Sequence, residues 1–358
     1  MPLVSFKTKL KLNNLQKTLM AKHAGVARHA YNWGLEICIK ALENSEKLPS
    51  AIDLHKRLVR DVKSVNPWYY EVSKCSPQQA LRNLATAFKR CFKDKISLFP
   101  KFKKKGKRDS FYLEGSIKIS GDKIKLPRIG WIKTHEILPS VGVKNVTISR
   151  HAHRWFISFK YELDKPNTPK KRERIGVDVG INSLATCSDG TVFENKKPYL
   201  KNKRKLARLP RSINRKQLGS ANRKKEVIKL ASQHRKVTNI RKDTLHKLTS
   251  WLAKNHSEIV IEDLNISGML KNHRLASAIA DCGFYEFKRQ LEYKTDWYGS
   301  KLTIVDRFFP SSQLCSNCNH RQKMPLSKRV YSCENCGLKI DRDLNASVNL
   351  EKYLNNKE

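Results

Sequence analysis

At 358 residues the chain is long enough for two or three folding units, and its 39% hydrophobic content supplies material for real cores. Lys and Arg number 73 against 32 Asp and Glu, a net charge of +41; such an excess calls for a polyanionic partner, with nucleic acid first and a ribosome-like RNA-binding scaffold as the plainer version of the same idea. There is no apolar run of bilayer length and no basic helix with a clean apolar face, which argues against a membrane role.

The first residues, MPLVSFKTKLKLNN, carry no signal-peptide apolar region. Nine cysteines without an export signal fit a reducing, cytoplasmic compartment. Cys38, Cys75, Cys91, Cys187 and Cys282 are scattered and read as small buried hydrophobes. Leu3 to Asn13 alternates apolar and basic residues, as one strand would. Helical spacing follows, with Val26, Ala30, Trp33 and Ile37 on one face. A second helix is predicted from SPQQALRNLATAFKRCF, with Ser76 as N-cap, Pro77 at the first helical position, and Leu81, Leu84, Phe88 and Phe92 facing a core. Phe99–Ser110 reads as a basic linker. Short alternating segments then run to residue 163, with Gly121-Asp122 as a turn between two of them. Strand, helices and many strands together predict a small β-barrel interrupted by an inserted helical unit.

Asp164–Arg174, with two prolines and five basic residues, predicts a domain boundary. RIGVDVGINSLATCSDGTVFEN reads as three strands joined by turns. Lys196–Lys247 is basic and helical, with Glu226 and Asp243 as its acids. EIVIEDL is a buried strand ending in carboxylates, Phe284–Trp297 a helix, KLTIVDRFF a last strand, and DLNASVNLEKYL a closing helix. Three antiparallel strands, a helix, a fourth strand with an acid and a terminal acid-bearing helix give the ribonuclease-H-like order.

Between the last strand and the last helix lies Cys315-x2-Cys318, then fourteen residues, then Cys333-x2-Cys336. Four thiolates on two tight knuckles can surround one structural Zn2+, leaving no open position for catalysis. Disulfides are the alternative, and His320 is a spare surface imidazole.

Three acids stand in suggestive places: Asp178 in GVDVG, Glu262 in IVIED, and Asp343 at the start of the closing helix. A buried acid is costly unless a cation neutralises it. Acids at strand ends and a helix start can meet at one sheet edge and hold two Mg2+ or Mn2+ ions for phosphodiester hydrolysis. Singly, each could be a cap or an ion-pair partner; Asp263 and Asp341 are alternatives to their neighbours. GVDVG also opens sugar kinases and actin-like ATPases, but a second glycine-rich phosphate loop is missing.

Together, IGVDVGINSLATCSDG, IVIEDLNISGM, SSQLCSNCNH, YSCENCG and DRDLNASVNL resemble the TnpB family, the RNA-guided DNA endonucleases of insertion sequences related to type V CRISPR effectors. Upstream, SPQQALRNLATAFKRCF, PKFKKKGKRDSFYL, LPRIGWIK and VTISRHAHRWFISF extend the resemblance over nearly the whole chain. It implies a multidomain α+β protein: a wedge β-barrel (1–13 and 108–165), a helical recognition insertion (14–107), a RuvC nuclease domain (166–311 and 341–358) and a zinc-ribbon insertion (312–340). The family's catalytic, Mg2+-binding acids fall on Asp178, Glu262 and Asp343, with Ser347 where alanine is usual.

The resemblance further implies a guide RNA from the transposon end, a double-stranded DNA target cut on both strands beside a short adjacent motif, and a place at the nucleoid of a prokaryote. Gln78, Gln79 and Arg82 are expected to read that motif, since Gln and Arg contact base edges bidentately, or else to hold phosphates. Lys201, Lys203, Arg204, Arg215, Arg223 and Lys224 are expected to track the heteroduplex or RNA scaffold. The rival functions are a non-catalytic nucleic-acid-binding zinc protein and an RNA-independent, structure-specific nuclease.

Overall fold

The structure, a computed structural model, describes residues 3–95, 97–162, 168–325 and 327–353. The chain forms two compact units, Met1–Leu163 and Asp164–Glu358. Part of the predicted boundary, residues 164–167, lies outside the described residues.

In the first unit β1 (Leu3–Lys11) leads into α1 (Asn14–Glu43). Asn13 caps α1 reciprocally with Gln16, satisfying two orphan donors. Then come α2 (Ala51–Arg57), which runs on into a wider turn at Leu58–Lys63, a short 3-10 turn at Pro67–Glu71, and α3 (Cys75–Phe92). α3 starts earlier than its sequence suggests. Ser76 is not its N-cap but lies inside the helix, buried, and its hydroxyl donates to the Tyr112 carbonyl at 3.3 Å. A tertiary acceptor has displaced the local capping preference. Leu81, Leu84 and Phe88 are buried as expected, while Phe92 is exposed. On α1, Val26 and Ala30 are buried, whereas Trp33 and Ile37 only flank the core.

The segment read as a basic linker is tied down. The Lys103 N–H donates to Asn32 Oδ1 at 2.8 Å, the Asn32 amide returns a bond to the Lys103 carbonyl, and Lys103 Nζ lies 3.8 Å from the Tyr31 ring centre.

Six strands follow: β2 (Ser110–Glu114), β3 (Lys118–Ser120), β4 (Lys123–Leu126), β5 (Gly130–Thr134), β6 (Asn145–His151) and β7 (Arg154–Glu162). With β1 they form one antiparallel sheet in the order β2-β6-β7-β1-β5-β4-β3. Among the described residues β2 and β3 remain unjoined edges, so the hydrogen bonding gives an open sheet where a closed barrel was expected. β1 holds it together by pairing β7 through residues 3–9 and β5 through residues 10–11. Alternate residues such as Phe111, Leu113, Ile124, Ile132, Ile148 and Ile157 share one core with the helices.

In the second unit β8 (Arg172–Asp178), β9 (Ser183–Cys187) and β10 (Val192–Glu194) are followed by the helical hairpin α4 (Pro198–Asn214) and α5 (Ala221–Asn255). Then come β11 (His256–Glu262), α6 (Ile266–Met269), α7 (Ala276–Cys282), α8 (Phe284–Tyr298), β12 (Lys301–Val305), β13 (Val330–Ser332), β14 (Lys339–Asp341) and α9 (Arg342–Lys352). The sheet order is β10-β9-β8-β11-β12, antiparallel through β8 and parallel from β8 to β12. Ile175, Val177, Ile259 and Ile261 face α5, α7 and α8 on one side. Val260 and Val305 meet Leu350 of α9 on the other. Strand periodicity therefore places Gly176, Asp178 and Glu262 on the α9 side.

Candidate metal centres

The closeness of α9 to the sheet depends on Gly176. A Cβ there would lie 2.0 Å from the Ser347 carbonyl oxygen and 2.5 Å from the Glu351 nitrogen, both backbone atoms. No side chain fits, so α9 rests directly on β8. Two residues along β8 from this contact is Asp178; four residues back along α9 from Ser347 is Asp343. Both spacings return a side chain to the same face, which brings the two acids into one neighbourhood. Glu262 joins from the adjacent strand, because Ile261 is in register with Val177 and the next residues are Glu262 and Asp178. Ser347 keeps its hydroxyl on the Leu344 carbonyl at 2.8 Å and adds no bulk.

The neighbouring acids are otherwise engaged. Asp341 caps α9, accepting from the N–H groups of Asp343 and Leu344 at 2.9 and 3.0 Å, and so leaves Asp343 clear of the capping role. Asp263 is paired with Lys288 and Arg307. Burial, then the charges of Asp343 and Glu262, push the Asp178 carboxyl up to about 8. Glu262 is raised by burial and by Asp263. Carboxylates that resist ionising together, with only oxygen donors, suit divalent hard cations. The set is looser than the thiols below: among the described residues the four cysteines are the one group of His, Cys, Asp and Glu ligand atoms that all lie within 4.8 Å of each other. One cation not singled out in the sequence touches the set: Arg329 Nη1 lies 3.7 Å from Asp343 Oδ1.

The cysteine loop is built from two near-identical knuckles. Asn319 N donates to the Cys315 carbonyl at 3.0 Å and Gly337 N to that of Cys333 at 3.1 Å. Each of these residues, directly after the second cysteine of its pair, takes a left-handed φ, +59° and +71°. Cys315–Cys336 and Cys318–Cys333 sulfurs are 3.6 Å apart, near the roughly 3.8 Å edge of a tetrahedron with 2.3 Å Zn–S bonds. All four are free thiols, with no disulfide among them. Asn335 and Asn317 reach across to Cys318 and Cys336 sulfur at 3.5 and 3.6 Å. Hydrogen bonding, Asn335 first, lowers Cys318 to about 6, poised for the thiolate a metal needs.

Helix α9 is clamped to the start of this loop. Asn345 Oδ1 accepts from Ser316 N at 2.9 Å and its amide donates to the Leu314 carbonyl at 2.7 Å. Asn349 donates to the carbonyls of Ser311 and Leu314, both at 2.8 Å. Lys352 donates to the Ser316 carbonyl. Sequence reading passed over these asparagines, two amides four residues apart on one face of α9 and both buried.

The nucleic-acid candidates separate. Lys201, Lys203, Arg204, Arg215 and Lys224 are exposed on the α4–α5 hairpin and its turn. Arg223 is not: its guanidinium donates to the carbonyls of Ile213 and Lys216, closing the C-terminal end of α4. On α3, Arg82 is exposed, Gln78 and Gln79 are half-buried, and Gln79 donates to Asn83.

Comparison with known proteins settles the lineage. A chain from Streptomyces pristinaespiralis named "Putative RNA-guided DNA endonuclease" is 36% identical over 355 residues, covering 97% of this chain and 88% of that one. Escherichia coli K12 InsQ, carrying the same description, is 36% identical over 373 residues, covering 97% and 91%. This chain belongs to the TnpB family. Within TnpB, residues 158–273 match the OrfB_IS605 model described as "Probable transposase", and residues 284–350 a Cas12f1-like TNB domain. Residues 1–47 match a model called a helix-turn-helix domain, although here they hold a strand and one long helix. A Cas12f1 chain solved with its sgRNA and target DNA shares the fold, with a TM-score of 0.54 at 14% identity over 95% of this chain and 83% of that one. Among the described residues no helix is long and apolar enough to cross a membrane.

Proposed function

We propose that this TnpB protein is an RNA-guided DNA endonuclease that uses a guide RNA from the transposon end and hydrolyses both strands of a DNA target at one RuvC-type centre. The observation that carries this reading is the convergence of Asp178, Glu262 and Asp343 on the α9 side of the sheet, in a chain of net charge +41. The open sheet with its helical insertion serves as wedge and recognition region, the second unit as nuclease, and the cysteine loop as a zinc ribbon.

Asp178, Glu262 and Asp343 would hold Mg2+, and Cys315, Cys318, Cys333 and Cys336 would hold Zn2+. When bound, two divalent ions supply an activated water and charge neutralisation at the leaving oxygen. The chain's own work is positional. Gly176 sets the depth of α9, Asp341 keeps the backbone of Asp343 in place, and the asparagine clamp transmits the fixed ribbon to the same helix. Arg329, beside Asp343, is placed to meet a phosphate that enters the centre. Specificity comes from RNA–DNA pairing, with Gln78, Gln79 and Arg82 at the adjacent duplex motif. The exposed cations of α4 and α5 hold the backbone of RNA or heteroduplex.

The test is to purify the protein with its copurifying RNA, sequence that RNA, and supply Mg2+ with a matched duplex. Cleavage that is lost in Asp178→Ala and after ribonuclease treatment is the expected result. Cutting that survives ribonuclease would favour a structure-specific nuclease, and target binding without cutting in any divalent ion a non-catalytic module.

A further inference from the structure

Glu262 is followed by a second acid whose partners mark out another surface. Asp263 accepts from Lys288 Nζ at 3.2 Å and from Arg307 Nη2 at 2.5 Å. Its own N–H continues the β11–β12 ladder to the Val305 carbonyl at 3.0 Å, so this bridge begins one residue beyond Glu262. An exposed aromatic adjoins each cation. Tyr285, 70% exposed, lies one helical turn before Lys288 on α8. Phe308, 84% exposed, directly follows Arg307.

A single exposed ring would carry no weight. Here the presentation is braced. Phe308 N donates to Asp306 Oδ1 at 2.8 Å and Phe309 N to the Asp306 carbonyl at 3.0 Å. Phe309 turns inward and meets Tyr353 edge-on, ring centres 5.0 Å apart. Likewise Phe284 and Phe287 of α8 are buried while Tyr285 faces out. The backbone that carries each outward ring is therefore anchored by its inward-facing neighbours. Both cations stay accessible: the side chains of Arg307 and Lys288 are 44% and 35% exposed while bound to Asp263.

We propose that Tyr285, Lys288, Arg307 and Phe308 form a subsite for single-stranded DNA, in which unpaired bases stack on the rings and the backbone phosphates meet the cations. Aromatic faces interleaved with positive charge bind single strands without regard to sequence. A duplex keeps its bases stacked on each other and cannot offer them. The subsite thus admits an unwound strand beside Glu262 and rejects the intact helix. Asp263 holds the two cations apart and oriented, which explains the paired acids in IVIED: the first faces the centre, the second organises its approach. This inference rests on the endonuclease reading above.

The RNA complex carrying Asp178→Ala is loaded with target whose strand near the cut holds 5-iododeoxyuridine, then irradiated. Adducts on Phe308 or Tyr285 are expected; adducts confined to other residues overturn the subsite. In the otherwise unaltered complex, the Tyr285→Ala/Phe308→Ala pair should bind duplex target as tightly as the parent but cut about 10- to 100-fold more slowly. Tyr285→Phe with Phe308→Tyr should restore the rate, and cleavage by the alanine pair at the parental rate overturns the inference. If the parent complex cuts nothing, it is the endonuclease reading that fails. Quenching of a 2-aminopurine single strand by the protein, lost in the alanine pair, then still supports the subsite, and quenching unchanged in that pair refutes it.

Discussion

The cysteine cluster and the acid cluster occupy one unit and are held by opposite means. The four sulfurs come from two knuckles that each close within five residues, joined across a short loop by Gln322, and all lie within 4.8 Å of one another. The acids arrive from three segments spread over residues 178 to 343, and nothing local brings them together. A strand register and a helix contact put them on one side of the sheet, near enough that Asp343 and Glu262 help burial push Asp178 up to about 8. A site made by turns is robust to changes elsewhere. A site made by packing inherits every error in that packing.

The sharpest break of this contrast is Gly176→Val. The colliding atoms are backbone, so α9 must move; destabilisation of more than about 3 kcal/mol is expected, with cleavage lost but stoichiometric zinc retained. Calorimetry and metal analysis on the same sample check both halves. Removing zinc attacks from the other side: Cys318→Ser, or chelation, should release the ribbon and, through Asn345 and Asn349, slow cleavage as well. If cleavage persists unchanged after zinc loss, the clamp does not transmit. Asn349→Ala is the gentler version. It strips the donor from two carbonyls and should lower stability by about 1–3 kcal/mol, read from denaturant midpoints.

The smallest effect concerns pH. Burial, Asp343 and Glu262 hold the folded Asp178 at about 8 against an ordinary 3.8. The folded state therefore favours the protonated form, and this contribution is complete below the ordinary value and lost as pH rises through the folded one. With zinc retained and Mg2+ omitted, Asp178→Asn should melt a few degrees above the parent at alkaline pH, with the gap closing toward acid. Added Mg2+ should raise the parent alone. An equal Mg2+ response in both proteins would contradict the proposed ligand role of Asp178.

Much of this was legible beforehand. The alternation of Leu3–Lys11, the buried run ending in Glu262 and the C-x2-C pairs are short-range patterns, and each became the expected element. What was not legible shares a cause. Ser76 is a good N-cap by its type, but the Tyr112 carbonyl takes its hydroxyl. Arg223 looked like one more cation in a basic stretch, yet it closes the helix before it. Phe99–Asp109 does connect α3 to β2 without helix or strand, and Asn32 and Tyr31 also pin Lys103 within it. Each depends on a partner that composition does not reveal.

Sequence alone settled which chemistry the chain could attempt: thiolates at ribbon spacing, acids at strand ends and helix start, and a charge that demands nucleic acid. Those properties reside in residue types and short spacings, which backbone geometry converts directly into local structure. Tertiary structure alone decided that Asp341 caps α9, that Asp263 turns to Lys288 and Arg307, and that Gly176 admits the helix. Such outcomes depend on which distant backbone atoms come within a few ångströms, and no local preference encodes that distance.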